Sequence, residues 1–523
     1  MGPWGYSFLN FIFIINSMKQ SQLFEPIPCD KYDLLSKEEM VSLVKGYEDL
    51  VQQVIQHNNE LTAKLFSNEQ KEFLLGEQLI NIKNKLFGKS SEKSDKKSPS
   101  NKIKKDPRKR ILLPSERYPN LDVIEKLVTM DKIPTCPCCS KVMKDSGLTE
   151  DSEYLTVIPR RYYVVHQKRV KYRCSTCQDQ LITTPAIPRI KPGSSYSDEM
   201  VVDVALSKYC DLIPVERYVK MAERSGVSGL PANTLIQGTH NLANFLAPVY
   251  KKIKEEILSS KILHADETPH RMLEGDEKSH WYLWGFSTDK ASYFEAHDTR
   301  SGDVASSILN KSQCEYLVSD VFSGYKKAVT ESNVHRKENN LNEIKNIYCN
   351  AHARRKFIES EKAFPKESHF FIWCYQKIYH LEKQKDFIVR RKWQGLYYKV
   401  MERFGLRIKN SYSSKSSLVK AIDYFMKNFN ELTYYLKFED IPIDNNSQER
   451  LMRSPVIGRK TWYGTHSPRG AETNAVLFSL VESCKLNKVN PREYFKDIVH
   501  AIHEKREIFT PNEYLAMKLE NPT

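Results

Sequence analysis

Residues 261–269 read Lys261-Ile262-Leu263-His264-Ala265-Asp266-Glu267-Thr268-Pro269, and residues 316–325 read Tyr316-Leu317-Val318-Ser319-Asp320-Val321-Phe322-Ser323-Gly324-Tyr325. In each, a short run that reads as a buried strand (Lys261–His264, Tyr316–Val318) is closely followed by an aspartate. Between them, His280–Phe286 and Tyr293–His297 read as strands and Gly302–Leu309 as a helix; Asn346–Cys349 reads as a further strand. The order β-β-β-α-β-α-β predicts an α/β domain. From Ala351 to about Phe438 the pattern is almost entirely helical. Asp444–Arg453, Ala471–Cys484 and a segment from Asn490 to about Lys505 read as later helices.

A third acid, Glu449, sits in Asp444-Asn445-Asn446-Ser447-Gln448-Glu449-Arg450. Acids at strand ends beside apolar runs are poorly placed for simple solvation. Three that converge would repel one another unless a cation joins them. Hard oxygen donors select Mg²⁺ or Mn²⁺, and two such ions clamp the attacking and leaving oxygens of a phosphodiester. Solvated acids following strands are the bland alternative, and composition alone does not choose between the two.

Upstream, Cys136-Pro137-Cys138-Cys139 and Cys174-Ser175-Thr176-Cys177 form two CxxC knuckles. Cys136, Cys139, Cys174 and Cys177 present four thiolates, which suit one closed, tetrahedral, structural Zn²⁺; Cys138 is a spare thiol. The span between the knuckles carries Arg160, Arg161, Lys168, Arg169, Lys171 and Arg173 among Tyr162, Tyr163 and Tyr172. Such a ribbon can neutralise phosphates and stack on bases, or be a solvated basic face. His352, Arg354, Arg355 and Lys356, and then Arg450, Arg453, Arg459 and Lys460, follow the strands and the glutamate and can hold phosphates. Trp462 reads equally as a base-stacking or a core residue. Cys349 with His352 forms half a metal site, with a buried cysteine as the simpler reading.

Set in order, these motifs resemble the DDE transposases of insertion sequence family sixty-six, from about Leu75 to Phe495. The matching pieces are Leu86-Phe87-Gly88-Lys89-Ser90-Ser91-Glu92-Lys93, the two knuckles, Lys208-Tyr209 and Ile213-Pro214-Val215-Glu216-Arg217. They continue with Asp266-Glu267-Thr268-Pro269, Asp320 to Tyr325, Cys349-Asn350-Ala351-His352-Ala353-Arg354-Arg355-Lys356-Phe357, Asp444-Asn445-Asn446 with Glu449-Arg450, and Gly458-Arg459-Lys460-Thr461-Trp462. The resemblance implies an RNase H-like mixed sheet with a helical insertion at about 351–438. It implies a catalytic, metal-binding triad of Asp266, Asp320 and Glu449, with Glu267 pointing away by strand alternation. It also implies two Mg²⁺ (or Mn²⁺) ions, double-stranded DNA (element ends and target) as partner, a homodimer or larger assembly, and small accessory transposition proteins as further partners. The segment Tyr463 to Gly470 departs from the family's glycine-rich version. An RNase H-like nuclease without strand transfer, and a domesticated, non-catalytic zinc-ribbon DNA-binding protein, are the competing readings.

The rest of the chain fits around this core. Of 523 residues, 80 are Lys or Arg and 65 are acidic, a balance of +15 that favours a polyanionic partner. The expected divisions are a disordered leader at 1–36, a coiled-coil-like helical segment at 37–87 and a basic linker at 88–131. A zinc ribbon follows at 132–186, a helix-turn-helix-like region at 187–258, the catalytic domain at 259–489 and a C-terminal helix and tail at 490–523. The seam Met40, Leu43, Tyr47, Leu50, Val54 and Leu61 can make the dimer. Residues 1–17 read as an over-called start ahead of Met18. No run of about 18 apolar residues exists, so no membrane partner is expected. Eleven cysteines, four of them in knuckles, fit a reducing compartment, and the resemblance implies a bacterial cytoplasm beside the nucleoid.

Overall fold

A computed structural model describes residues 49, 113–128, 132–143, 152–157, 160–173, 181–273 and 280–520. The expected leader, nearly all of the coiled-coil segment, residues 88–112 of the linker, and Cys174 and Cys177 lie outside the described residues. The chain divides into two compact units, residues 87–167 and the remainder.

In the smaller unit, Pro114–Arg117 forms one helical turn; the Glu116 carboxylate accepts from the Leu113 amide. A bridge between Thr135 and Val142 closes the Cys136 turn, where Cys136 N–H donates to Lys141 and Ser140 N–H to Cys136.

Among the described residues of the larger unit after residue 167, the first elements are two three-residue strands that form a hairpin, Lys171–Arg173 against Leu181–Thr183. Helices α1 (Asp198–Tyr209), α2 (Val215–Arg224), α3 (Ala232–Phe245) and α4 (Ala247–Ser259) follow. Five strands then form one sheet: β1 (Ile262–Arg271), β2 (His280–Ser287), β3 (Ser292–His297), β4 (Tyr316–Ser319) and β5 (Lys345–Tyr348). Their spatial order is β3-β2-β1-β4-β5. The first three run antiparallel as a meander, while β1-β4 and β4-β5 are parallel. The parallel crossovers contain α5 (Gly302–Leu309) and α6 (Ser323–Glu338). The mixed α/β core and the strand order read from the sequence are thus present.

β1 is longer than its apolar run. Its pairing with β4 ends at His264, but it continues beside β2 to Arg271. Asp266 is therefore inside the strand rather than after it. Pro269 lies in the stretch flanked by β2 alone, where a missing N–H leaves no ladder bond unmade on the other side.

After β5 comes an all-helical insertion: α7 (Asn350–Ser360), α8 (Pro365–Leu381), α9 (Phe387–Lys409), α10 (Ser417–Lys427) and α11 (Phe429–Thr433), ending in a 3₁₀ turn. The chain returns in α12 (Asn446–Trp462), and α13 (Pro468–Leu486), α14 (Pro491–His503) and α15 (Pro511–Glu520) complete it.

Strand alternation sorts the sheet between two cores. Leu263, Ala265 and Leu317 join a core that includes residues of α4, α5, α6 and α13. Val318 and Ile347, on the opposite face, join the aromatic core of the insertion with Phe357, Phe371, Tyr398 and Phe425. The edge strand β3 is closed by α13: Ser483 Oγ accepts from Ser292 N–H at 2.9 Å and Ser479 Oγ from Phe294 N–H at 2.8 Å. Two serines one helical turn apart thus satisfy amides that an open sheet edge would expose.

Candidate active site

Register brings two of the acids together. His264 of β1 pairs with Val318 of β4 in parallel, and two residues further along each strand stand Asp266 and Asp320. With a side-chain period of two, both take the Val318 face, on strands about 4.8 Å apart. Asp266 is pushed up to about 8, first by burial and then by the charges of Glu267, Asp320 and Glu449. Burial also raises Asp320, with Glu267 adding to it and His352 opposing. The third acid is thus close enough to act on the first.

Glu449 arrives on the first turn of α12, and Asn445 hangs that turn from β1. The Asn445 side chain donates to the Ala265 carbonyl at 2.8 Å and lies 2.8 Å from His264 Nδ1. Its backbone N–H donates to Cys349 Sγ at 3.2 Å, and its carbonyl accepts from Glu449 N–H at 3.1 Å. The helix comes this close because Gly285, the β2 partner of Asp266, has no side chain. A Cβ there would overlap Gln448 and lie 2.8 Å from Met452 Sδ and 2.9 Å from a Phe294 ring carbon.

The N-terminus of α7 covers the same acid. Glu449 Oε1 lies 3.6 Å from His352 Nδ1, and Oε2 lies 4.0 Å from Arg355 Nη2. Cys349 N-caps this helix, fully buried, and burial raises its thiol to about 12. It is the buried cysteine expected, at a helix start rather than within β5. Cys349, His352 and Glu449 each present a ligand atom within 4.8 Å of the others.

Glu267 takes the other face, as alternation requires. Its Oε2 accepts from Tyr325 O–H at 2.5 Å, and its Oε1 accepts from Arg300 Nη2 at 2.6 Å and Nε at 2.9 Å. The Arg300 guanidinium lies 4.1 Å from the Phe322 ring centre. One buried carboxylate therefore ties β1 to the turn that carries Asp320.

The other basic residues are dispersed. Arg354 is half-buried on α7, whereas Arg450, Arg453 and Lys460 are exposed on α12. Arg459 is engaged, donating to the Pro269 carbonyl. Arg160, Arg161, Lys168, Arg169, Lys171 and Arg173 are all exposed, and Arg169 reaches the Thr184 carbonyl at 3.4 Å. Trp462 packs on Phe478 and Tyr209 with Lys208 over its ring, which answers its ambiguity in favour of the core. The divergent segment after it docks on the end of β1: Thr465 N–H donates to Arg271, and Leu273 N–H to Thr465. Gly464 has φ +136°, a region that favours glycine. At the first knuckle, the amides of Cys138 and Cys139 hold the Cys136 thiol below its ordinary value.

Asn445, His264, Arg300, Tyr325 and Gly285 escaped the sequence reading as site residues. Asn445 and Tyr325 stand within the family-like stretches without being singled out there, and Gly285, an isolated glycine in an aromatic strand, marks a close backbone approach. Among the described residues, no helix is long and apolar enough to cross a membrane.

The chain is similar to three proteins of Sinorhizobium fredii named as uncharacterized. It is 24% identical to y4hP over 412 residues (73% of each chain). It is 27% identical to y4jD over 388 residues (70% of this chain, 74% of that one). It is 26% identical to y4qI over 434 residues (78% of each). Residues 193–473, more than half of the chain and the span that holds the sheet, both aspartates and Glu449, match the family described as "Transposase IS66 family", and the protein belongs to that family.

Proposed function

We propose that the protein is a DDE transposase with an RNase H-like catalytic domain, cutting at the ends of its own insertion sequence and joining them to target DNA. This reading is supported by Asp266 and Asp320 sharing one face of a β3-β2-β1-β4-β5 sheet, with Glu449 carried toward them on the first turn of α12, which Asn445 ties to β1. Burial and neighbouring acids raise both Asp266 and Asp320, and oxygen donors of this kind fit divalent cations such as Mg²⁺ or Mn²⁺. Two such ions, when bound, supply activation of the attacking oxygen and stabilisation of the departing one.

The chain's own residues do the rest. Asp266 and Asp320 are fixed by adjacent strands, and Glu449 is fixed by Asn445. Arg355 balances the charge of Glu449 and, with Arg354, offers guanidinium groups to phosphates next to the acids. No covalent enzyme intermediate is needed, so no serine or tyrosine nucleophile is required; positioning is the protein's main contribution.

In this reading Cys136, Cys139, Cys174 and Cys177 hold a structural Zn²⁺, and the basic ribbon from Arg160 to Arg173 binds double-stranded DNA. The division into leader, coiled coil, linker, ribbon, helical region and catalytic domain follows the boundaries drawn from the sequence. Two element ends must react together, so at least a dimer is needed, with 37–87 as its seam. Small accessory proteins would join in the cytoplasm, at the nucleoid.

The test is strand transfer by the full chain, with labelled DNA from the flanks of its gene, Mg²⁺ or Mn²⁺, and a plasmid target. Joined products that vanish in Asp320→Asn, with DNA binding retained, are the expected outcome. Joining that persists in Asp320→Asn overturns the triad. Cleavage without joining favours a nuclease, and binding without either favours the non-catalytic reading.

A further inference from the structure

We infer that Cys349, His352 and Glu449 form a second kind of metal site, suited to Zn²⁺, that competes with the catalytic ions for Glu449. The inference rests on Glu449 belonging to the triad. The set offers one sulfur, one nitrogen and one oxygen, mutually within 4.8 Å. Zinc takes these donors at about 2.3, 2.0 and 2.1 Å, which places them roughly 3.3–3.7 Å apart around a tetrahedron. His352 Nδ1 and Glu449 Oε1 already stand at 3.6 Å, so only the sulfur needs to close in.

Local structure favours that closure. Cys349 caps α7 and His352 follows three residues later, so both donors come from one helical turn. The Asn445 N–H donates to Cys349 Sγ at 3.2 Å, an outer contact of the kind that orients and stabilises a ligating thiolate. Glu449 divides its oxygens, Oε1 toward His352 and Oε2 toward Arg355, so one remains paired when the other ligates. The side chains of His352 and Glu449 are 28% and 25% exposed, whereas their Nδ1 and Oε1 atoms are buried with Cys349, so the three donors are gathered away from bulk solvent.

Donor chemistry separates the two occupants. Mg²⁺ binds oxygen and has little use for thiolate and imidazole, whereas zinc takes all three. On binding, the Cys349 proton passes to solvent. Glu449 held by zinc is withdrawn from Asp266 and Asp320, so micromolar zinc would silence a Mg²⁺-loaded enzyme.

Cobalt(II) is the probe. The full-length wild type, Cys349→Ser and His352→Ala are each saturated with Co²⁺ and counted by metal analysis, with circular dichroism to verify folding. Metal at the CxxC knuckles is common to all three. Cobalt held by the oxygens of the triad gives no thiolate band, so the wild type is expected to show thiolate-to-cobalt charge-transfer absorption beyond that of either variant. Equal charge-transfer intensity in folded variants overturns the site. Should neither variant fold, Mg²⁺ titrated into the Co²⁺-loaded wild type decides: part of the charge-transfer band must fall as Glu449 is reclaimed, and a band indifferent to Mg²⁺ overturns the proposal. These readouts need no transposition, so failure of the strand-transfer assay leaves them interpretable.

Discussion

With its carboxyl pushed up to about 8, Asp266 is a residue whose charge works against the metal-free fold. Its folded value lies above the ordinary 3.8, so the folded state binds the proton more tightly. The associated stability is fully present below about pH 4 and is lost as pH rises toward about 8. Asp266→Asn should therefore raise the melting point in chelator near pH 8, by about 1–3 kcal/mol of stability, and Mg²⁺ should narrow the gap by stabilising the wild type alone. An unchanged or lower melting point for the variant would contradict the crowding of charge. Glu267 meets the opposite fate, because Tyr325 and Arg300 satisfy it. Tyr325→Phe removes a donor from a buried carboxylate and should destabilise by about 1–3 kcal/mol in urea melts, leaving the m-value unchanged. The opposed directions of Asp266 and Glu267 were legible from strand alternation alone. The partners of Glu267 were not, since nothing local to residue 267 points to residues 300 and 325.

The strands were legible where apolar or aromatic residues ran together, as in Ile262-Leu263 and Trp281-Tyr282-Leu283-Trp284. They were obscured where the pattern turned polar. β1 runs to Arg271 through Pro269, which reads as a break until β2 is seen to be its only neighbour there. α12 likewise extends to Trp462 although Pro455 stands inside it; the expected end near Arg453 reflects the usual effect of a proline on a helix. The placement of α12 depends on Gly285 and Asn445; the isolated glycine signals a close approach, but that α12 is what approaches is visible only in three dimensions. Gly285→Ala crowds the Gln448 amide, Met452 Sδ and the Phe294 ring where α12 meets the sheet, so it should reduce strand cleavage, by up to about 100-fold where the helix shifts by about 1 Å, with DNA affinity retained. Filter binding beside a cleavage time course checks this, and cleavage at wild-type rate would show that the helix has room to spare.

At the scale of the whole molecule, the proposed DNA-binding charge and the proposed metal ligands come from different stretches of the chain. Lys168 and Lys171 are exposed, well before the strands that carry Asp266 and Asp320. Replacing either with alanine should weaken DNA binding and make its salt dependence shallower, by about 0.9 in slope for each phosphate no longer neutralised. An unchanged salt slope would assign the ribbon a role other than phosphate binding. Within the larger unit, the helical insertion leaves the sheet and returns at nearly the same point. Asn350 N–H and side chain both donate to the Ile443 carbonyl, at 3.3 and 3.0 Å, and the Asn445 N–H meets Cys349 Sγ. The exit and re-entry of a long excursion are thus knotted together at its base. Whatever is spliced into the excursion, or trimmed from it, need not move Glu449 relative to the strands. A lineage is therefore free to remodel this part of the protein, lengthening a helix or exchanging the whole bundle, while the chemistry next to it stays the same.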